Sequence, residues 1–187
     1  MRGMSEASKK KTAPAARGGY RLSTSFPYLA RRVGLRIGEL FELAAASLGV
    51  DVPTYRVLAA LREQGGQTLS DLSKGTDIPL PTLSRLVTVM SRQGLVTRAR
   101  PESNGRIVAI SLLPQGQLLV EALVPMAIRL EQIALTGLSV AETRILKGQL
   151  ETAFANLDAA EAEIRGGGQL AQIAQQALSE RQLRKRA

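Results

Sequence analysis

Residues 77–94 read Asp-Ile-Pro-Leu-Pro-Thr-Leu-Ser-Arg-Leu-Val-Thr-Val-Met-Ser-Arg-Gln-Gly, and this stretch decides the fold. Its two prolines predict a helix that begins no earlier than Pro81, and Gly94 predicts the end of that helix. At about 100° per residue, one face of the helix is apolar and the opposite face carries hydroxyls and arginines. The apolar face consists of Leu83, Leu86, Val87 and Met90, and the polar face of Pro81, Arg85, Thr88 and Arg92, flanked by Thr82 and Ser84. Such polar side chains can reach bases and phosphates in a DNA major groove, although an ordinary core helix also has a solvated face.

The segment upstream favours the DNA-binding interpretation. Thr68-Leu-Ser-Asp71 resembles a capping box and predicts the start of a short helix, and the run at 74–77 predicts its end. Two short helices joined by a tight turn are typical of a helix-turn-helix. Residues 81–93 would then form its second helix, the recognition helix.

The segment downstream predicts a β-hairpin. Strand-like runs at 95–100 and 106–113 are separated by the turn-rich residues 101–105. The hairpin has a basic tip and therefore indicates a wing beside the recognition helix. Its arginines Arg98, Arg100 and Arg106 are expected to hold phosphates or a minor groove.

This order of motifs resembles the multiple antibiotic resistance regulator (MarR) family of winged-helix transcription factors, from about residue 26 to 157. The matching motifs are residues 55–61, 69–72, 82–87, 94–98, the wing, 113–116 and 138–142. The family's wing usually carries Asp-x-Arg, whereas residues 104–106 here read Asn-Gly-Arg. The arginine is kept as Arg106, but the carboxylate that would orient it is replaced by the amide of Asn104. The predicted fold is mainly α with a small β-hairpin wing, that is, a winged helix-turn-helix plus a helical dimerisation region.

The residues expected to contact DNA lie on the outward face of the recognition helix, at the start of the preceding helix and on the wing. They are Thr68, Pro81, Thr82, Ser84, Arg85, Thr88, Arg92, Arg98, Arg100, Asn104 and Arg106. The DNA is expected to be a double-stranded, pseudo-palindromic operator, because a two-fold dimer would place one recognition helix in each of two successive major grooves.

Composition excludes several other classes of protein. Cysteine and histidine are both absent, which excludes disulfides and cysteine-based redox sensing and removes the usual zinc ligands and the commonest general base. No metal or other cofactor is predicted. Neither a long apolar run nor a secretory signal is evident, so we expect a cytoplasmic protein that does not enter a membrane.

The formal net charge of +9 is informative through its placement. Residues 1–21 hold six basic residues against one acidic residue, residues 166–187 hold four against one, and residues 85–106 hold five arginines against one glutamate. This distribution is the electrostatic footprint of a DNA-binding protein. Taken alone, the N-terminal arm at 1–21, which is predicted to be disordered, is better explained as a solubilising tail.

The remaining segments predict long amphipathic helices. The DNA-binding core is assigned to 50–113, and the helices at 22–49 and 114–165 carry apolar stripes longer than one small domain covers. By resemblance to the family, these helices interlock with a second subunit to form a homodimer, so that 22–165 makes one winged-helix domain. Residues 166–187 are interpreted as a basic amphipathic tail on a glycine hinge.

One candidate ligand site lies on the first helix, where Tyr28, Arg32 and Arg36 recur every four residues. These side chains offer a phenol and two cations to an anionic aromatic ligand, but a solvated surface stripe has the same pattern. The resemblance implies a repressor released from DNA by a small effector such as an aromatic carboxylate or its coenzyme A thioester. Two alternatives remain: a nonspecific nucleoid-type DNA-binding protein and, more weakly, an enzyme, for which neither a phosphate loop nor an activated serine is evident.

Overall fold

A computed structural model of the protein describes residues 19–100 and 108–166, together with the single residues 172, 173 and 176. The chain divides into two units, residues 1–134 and residues 135–187. Most of the predicted N-terminal arm, the wing-tip residues Asn104 and Arg106, and nearly all of the predicted tail lie outside the described residues.

Five α-helices and two strands make up most of the first unit, and one long helix dominates the second. The first unit contains α1 (Phe26–Ala45), α2 (Val52–Glu63), α3 (Leu69–Thr76), α4 (Leu80–Arg92), β1 (Val96–Ala99), β2 (Ala109–Leu112) and α5 (Pro114–Ala134). The second contains α6 (Val140–Arg165). The predicted fold class, mainly helical with one antiparallel hairpin, is therefore confirmed.

Local sequence explains most helix ends. The Asp51 carboxylate accepts a hydrogen bond from the Thr54 amide at 2.9 Å and caps α2. The Ser139 hydroxyl and the Glu142 carboxylate form a reciprocal capping box at the start of α6, and this hydrogen bonding lowers the pKa of Glu142.

Two predicted boundaries were wrong by a few residues. Helix α3 continues through residues 74–76 because glycine can remain helical, and the chain turns only at Asp77, whose φ is 55°. Helix α4 begins at Leu80 rather than at Pro81, because the Pro79 carbonyl already accepts from the Leu83 amide at 2.9 Å. The restriction before a proline is a bias and does not prevent a first helical turn.

Two backbone hydrogen bonds extend the pairing of the hairpin beyond its two strands. The Ile110 amide donates to the Gln67 carbonyl at 2.8 Å, which adds a short third strand segment beside β2. At the other end, the Leu113 amide donates to the Leu95 carbonyl at 2.9 Å. A Cβ atom on Gly116 would lie 2.1 Å from that carbonyl oxygen. Only glycine allows α5 to approach the start of β1 this closely.

One aliphatic core joins α1 to the helix-turn-helix, the hairpin and α5. Its fully buried side chains include Leu58, Leu72, Leu83, Met90, Ile110 and Leu123, and Phe41 joins it from α1. The predicted buried face of α4 is confirmed at Leu83, Val87 and Met90 and is half-buried at Leu86. The core therefore fixes which side of α4 faces outward.

Most of the described side chains of helix α6 are exposed in the single chain. Its apolar stripe includes Ile145, Leu150, Phe154 and Leu157, and Phe154 is 55% exposed. Among the residues that the structure describes, no helix combines the length and apolar content that a membrane span requires.

Candidate nucleic-acid interface and effector cavity

The outward face of α4 is polar and basic, as the sequence predicts. Pro81, Thr82, Arg85 and Arg92 are exposed, whereas Ser84 and Thr88 are half-buried. The proline stands in the first turn, where its missing N–H breaks no helical hydrogen bond. The face therefore combines small side chains near the N-terminus with two cations, a shape that fits a major groove.

Three arginines of this region keep their donors available. Within the described part of the chain, Arg85, Arg92 and Arg100 form neither a hydrogen bond nor an ion pair. An unpaired guanidinium can bind guanine bidentately or hold a phosphate, and it needs no internal bond to be broken first.

Arg98 differs from these three arginines. One terminal nitrogen of its guanidinium donates to the Ser84 carbonyl and to the Thr88 hydroxyl oxygen, both at 3.0 Å. The Thr88 hydroxyl in turn donates to the Ser84 carbonyl at 2.8 Å. Sequence reasoning missed this set of bonds, although strand alternation offered a signal: Arg98 lies two residues after the buried Val96 and so shares its face.

Thr68 also has partners inside the protein. Its hydroxyl donates to the Asp71 carboxylate at 2.7 Å and accepts from the Asp71 amide at 3.1 Å. Hydrogen bonds from the Thr68 hydroxyl and backbone lower the pKa of Asp71. The structure brings Thr68 to the N-terminus of α3, where it acts as the cap. Asn104 and Arg106 lie outside the described residues, so their roles stay predictions.

Two of the predicted ligand residues of α1, Arg32 and Arg36, line an open groove, whereas Tyr28 is not among the lining residues. Arg32 stacks over the Tyr28 ring, with its guanidinium carbon 5.6 Å from the ring centroid. Arg36 pairs with Glu39 at 2.9 Å. Leu29, Val33 and Leu35 complete the groove together with both arginines and Glu39. Both cations are therefore already engaged, and the ligand-binding role of this set stays a prediction.

A second concavity, which sequence reasoning missed, is half-open and lined by three helices. It has a volume of about 140 Å³ and lies between α1, α2 and α5. Its walls are Gly34, Ile37, Gly38 and Phe41 from α1, Val52, Tyr55 and Arg56 from α2, and Ala127 and Leu130 from α5. The signal in the sequence was Gly34 and Gly38, spaced by four, which leave one side of α1 without side chains. A Cβ on Gly34 would meet no atom within 4 Å.

The cavity combines an aromatic wall with two polar groups. The Phe41 and Tyr55 rings pack with centroids 4.5 Å apart at 36°. Burial raises the pKa of Tyr55, so its hydroxyl stays a neutral donor at physiological pH. Arg56 is exposed at the edge, and its guanidinium has no partner among the described residues. An aromatic ring with an anionic substituent fits this arrangement.

A polar link joins α2 to α5 below the cavity. The Arg62 guanidinium bonds the Glu121 carboxylate at 2.8 Å and 3.4 Å, and Gln117 donates to the same carboxylate at 2.9 Å. The hydrogen bond from Arg62 lowers the pKa of Glu121, and the same bond raises the pKa of Arg62. This link connects α5 to α2, the helix that precedes the helix-turn-helix, and both helices line the cavity.

The sequence matches known transcriptional regulators. Residues 48–107 match the profile of the MarR family. The HTH-type transcriptional repressor IacR of Pseudomonas putida is 31% identical over 134 residues, which cover 71% of this chain and 80% of that repressor.

Solved structures show the same fold. BpsR of Bordetella bronchiseptica, whose DNA binding is regulated by 6-hydroxynicotinic acid, matches with a TM-score of 0.65 and 29% identity, covering 73% of this chain and 97% of BpsR. The S. aureus MepR–DNA complex matches with a TM-score of 0.64 over 71% of this chain and 96% of MepR. At 24% identity, the latter likeness supports the fold alone.

Proposed function

This chain belongs to the MarR family of winged-helix transcriptional regulators, and from that premise we propose that it is a cytoplasmic repressor of a pseudo-palindromic operator, released by a small aromatic acid. The observation that carries the proposal is the outward face of α4, where exposed Arg85 has no partner within the described residues while the opposite face is buried. A cation held ready on a rigid helix is what direct base readout requires.

The proposed DNA contacts are assigned according to whether each side chain already has a hydrogen-bond partner inside the protein. Pro81, Thr82, Ser84, Arg85 and Arg92 would enter the major groove, and Arg100, Asn104 and Arg106 would hold the backbone or the minor groove. Thr68, Thr88 and Arg98 already have partners inside the protein, so we assign them to supporting the interface.

Dimerisation is proposed from the exposed apolar stripes. Phe154 and Leu157 of α6 are 55% and 65% exposed in the single chain, and Phe26 of α1 is 54% exposed. Apolar stripes of this length are covered by a partner in stable proteins. A second copy would also supply the second recognition helix, about 34–36 Å from the first. A folded monomer that stays monomeric at micromolar concentration in sedimentation velocity would contradict this assignment.

The effector is proposed to bind the half-open cavity between α1, α2 and α5. A volume of about 140 Å³ is close to the roughly 150 Å³ that holds one benzene molecule in an engineered protein cavity. A single aromatic ring therefore fits, with its carboxylate at Arg56 and a ring substituent at the Tyr55 hydroxyl. The regulation of BpsR by 6-hydroxynicotinic acid supports this class of ligand.

Paired substitutions distinguish the cavity from the groove lined by Arg32 and Arg36. Arg56→Met should raise the concentration of 6-hydroxynicotinate or benzoate that releases DNA by about tenfold or more, because a charge-assisted hydrogen bond is lost. Gly34→Leu should abolish the response by filling the cavity. Arg36→Met is the matched control, with an unchanged response expected. If only Arg36→Met weakens release, the effector binds the groove.

Base readout is tested by titrating operator and scrambled duplexes at several salt concentrations. Arg85→Ala should cost about 1–3 kcal/mol per half-site on the operator and flatten the preference at one base position. Arg92→Ala, also on α4, serves as the comparison for a cation on the same face. Equal losses on both duplexes for Arg85→Ala would favour the nonspecific nucleoid-type alternative.

A further inference from the structure

The placement of Arg98 follows from the geometry of the hairpin. In β1, Arg98 stands directly opposite the buried Ile110 in the antiparallel register. Residues directly opposite in such a pair project to the same face of the sheet, as do residues two apart in one strand. The side chain of Arg98 therefore leaves the hairpin on the face that packs on the core, beside α4.

The hydrogen bonds of Arg98 form a closed set on one turn of α4. The guanidinium donates to the Ser84 carbonyl and to the Thr88 hydroxyl oxygen, both at 3.0 Å. Because the Thr88 hydroxyl directs its proton to the Ser84 carbonyl at 2.8 Å, its lone pairs remain for Arg98. The Arg98 guanidinium, the Thr88 hydroxyl and the Ser84 carbonyl are therefore hydrogen-bonded to one another.

We propose that Arg98 is a positioning residue that locks the wing strand β1 onto the recognition helix, so that helix and wing meet DNA as one rigid body. The inference rests on the DNA-binding function proposed above, and it removes Arg98 from the phosphate contacts. If the recognition helix and the wing are already held at a fixed separation, the protein loses less conformational entropy when it binds a DNA site that matches this separation. The lock therefore contributes to the operator preference, whereas general attraction to DNA comes from counterion release.

Five variants test the lock on DNA. Arg98→Met keeps the aliphatic stem and removes the donors, and Thr88→Val keeps the shape and removes the hydroxyl. Each should weaken operator binding by about three- to tenfold, while binding to scrambled DNA and the salt slope stay near wild type. The double variant should be no weaker than Arg98→Met alone, because both changes break the same set of bonds.

Arg100→Met, the fourth variant, is the matched control, since Arg100 has no partner among the described residues. It should lower the affinity for both duplexes and reduce the salt slope by about 0.9 for each phosphate that the protein no longer neutralises. Combined with Thr88→Val, it should lower the binding free energy by the sum of the two single losses. If Arg98→Met behaves like Arg100→Met, Arg98 holds phosphate and the proposal is overturned.

A measurement without DNA separates this inference from the proposed function. In ¹⁵N NMR spectra of the free protein, the Arg98 guanidinium should show hindered rotation that Thr88→Val releases, while Arg100 rotates freely. Free rotation of Arg98 in the wild type overturns the lock. If rotation of the Arg98 guanidinium is hindered but the protein binds operator and scrambled duplexes equally, the proposed operator recognition is refuted while the contact between β1 and α4 is still supported. If rotation of Arg98 is hindered in the wild type but Arg98→Met leaves the operator preference unchanged, the positioning role is also overturned.

Discussion

Replacing Gly116 by alanine should destabilise the protein strongly, although alanine is the better helix former. The new Cβ would lie 2.1 Å from the Leu95 carbonyl oxygen and 3.0 Å from the Leu95 carbonyl carbon. Both atoms are backbone, so α5 and the start of β1 must separate by about 1 Å to restore ordinary contact. That movement would stretch the 2.9 Å hydrogen bond from the Leu113 amide to the same oxygen.

The expected loss is the sum of two effects. Overpacking a tight site costs about 1–3 kcal/mol, and weakening the Leu113 to Leu95 hydrogen bond costs about 1 kcal/mol. We therefore expect Gly116→Ala to lower the free energy of unfolding by about 2–4 kcal/mol. Urea denaturation followed by circular dichroism at one fixed protein concentration measures this change from the midpoint and slope.

Gly75→Ala is the matched control in α3, because a Cβ at that position meets no atom within 4 Å. It should leave the stability unchanged or raise it by up to about 1 kcal/mol, the helix-propensity gain of alanine. If Gly116→Ala is as stable as Gly75→Ala, the close approach of α5 to Leu95 does not exist in solution and the argument fails.

Substitutions at three further positions test local features by thermal or urea unfolding. Asp77→Gly should change the free energy of unfolding by less than about 0.5 kcal/mol, whereas Asp77→Val should lower it by about 1–2 kcal/mol, since φ is 55° there; a neutral valine would contradict the left-handed turn. Asp51→Ala should cost about 1 kcal/mol and Asp51→Asn much less, because asparagine also caps helices; equal losses would exclude the cap. Arg62 lowers the pKa of Glu121, so the stabilisation is complete above the unfolded pKa of about 4.3 and is lost as pH falls through the lower folded pKa. The Tm advantage of wild type over Glu121→Gln should therefore be constant above about pH 5 and shrink as the pH falls from about 5 to 3, and a constant advantage over the whole range would show that the carboxylate charge is irrelevant.

The candidate DNA interface was predictable to the extent that it depends on one helix. Helical periodicity alone separated Arg85 and Arg92 from the buried Leu83 and Met90, and the structure confirms this division. The prediction failed to distinguish Arg98 from Arg100, because both are arginines of the same hairpin. Their difference depends on whether an acceptor on α4 lies within reach, which is a tertiary property.

The cavity proposed to bind the effector was beyond prediction for a related reason. A cavity is defined by the surfaces that surround it, and its nine lining residues come from three helices separated by long stretches of chain. The pattern at Tyr28, Arg32 and Arg36 was visible because it repeats on one helix. Arg56 was not singled out, since nothing in its own neighbourhood indicates that Gly34 and Leu130 lie beside it.

The sequence by itself determined the order of the elements, the capped helix start at Thr68, and the polar face of the recognition helix. These features depend on residues within one or two turns of each other, where spacing and hydrogen-bonding groups suffice. Only the tertiary structure decided which polar side chains remain free and where glycine is indispensable. Arg98 is engaged because β1 packs on α4, and Gly116 is required because α5 touches the Leu95 carbonyl. Both facts depend on packing between segments that are far apart in the sequence, and a local sequence pattern does not contain this information.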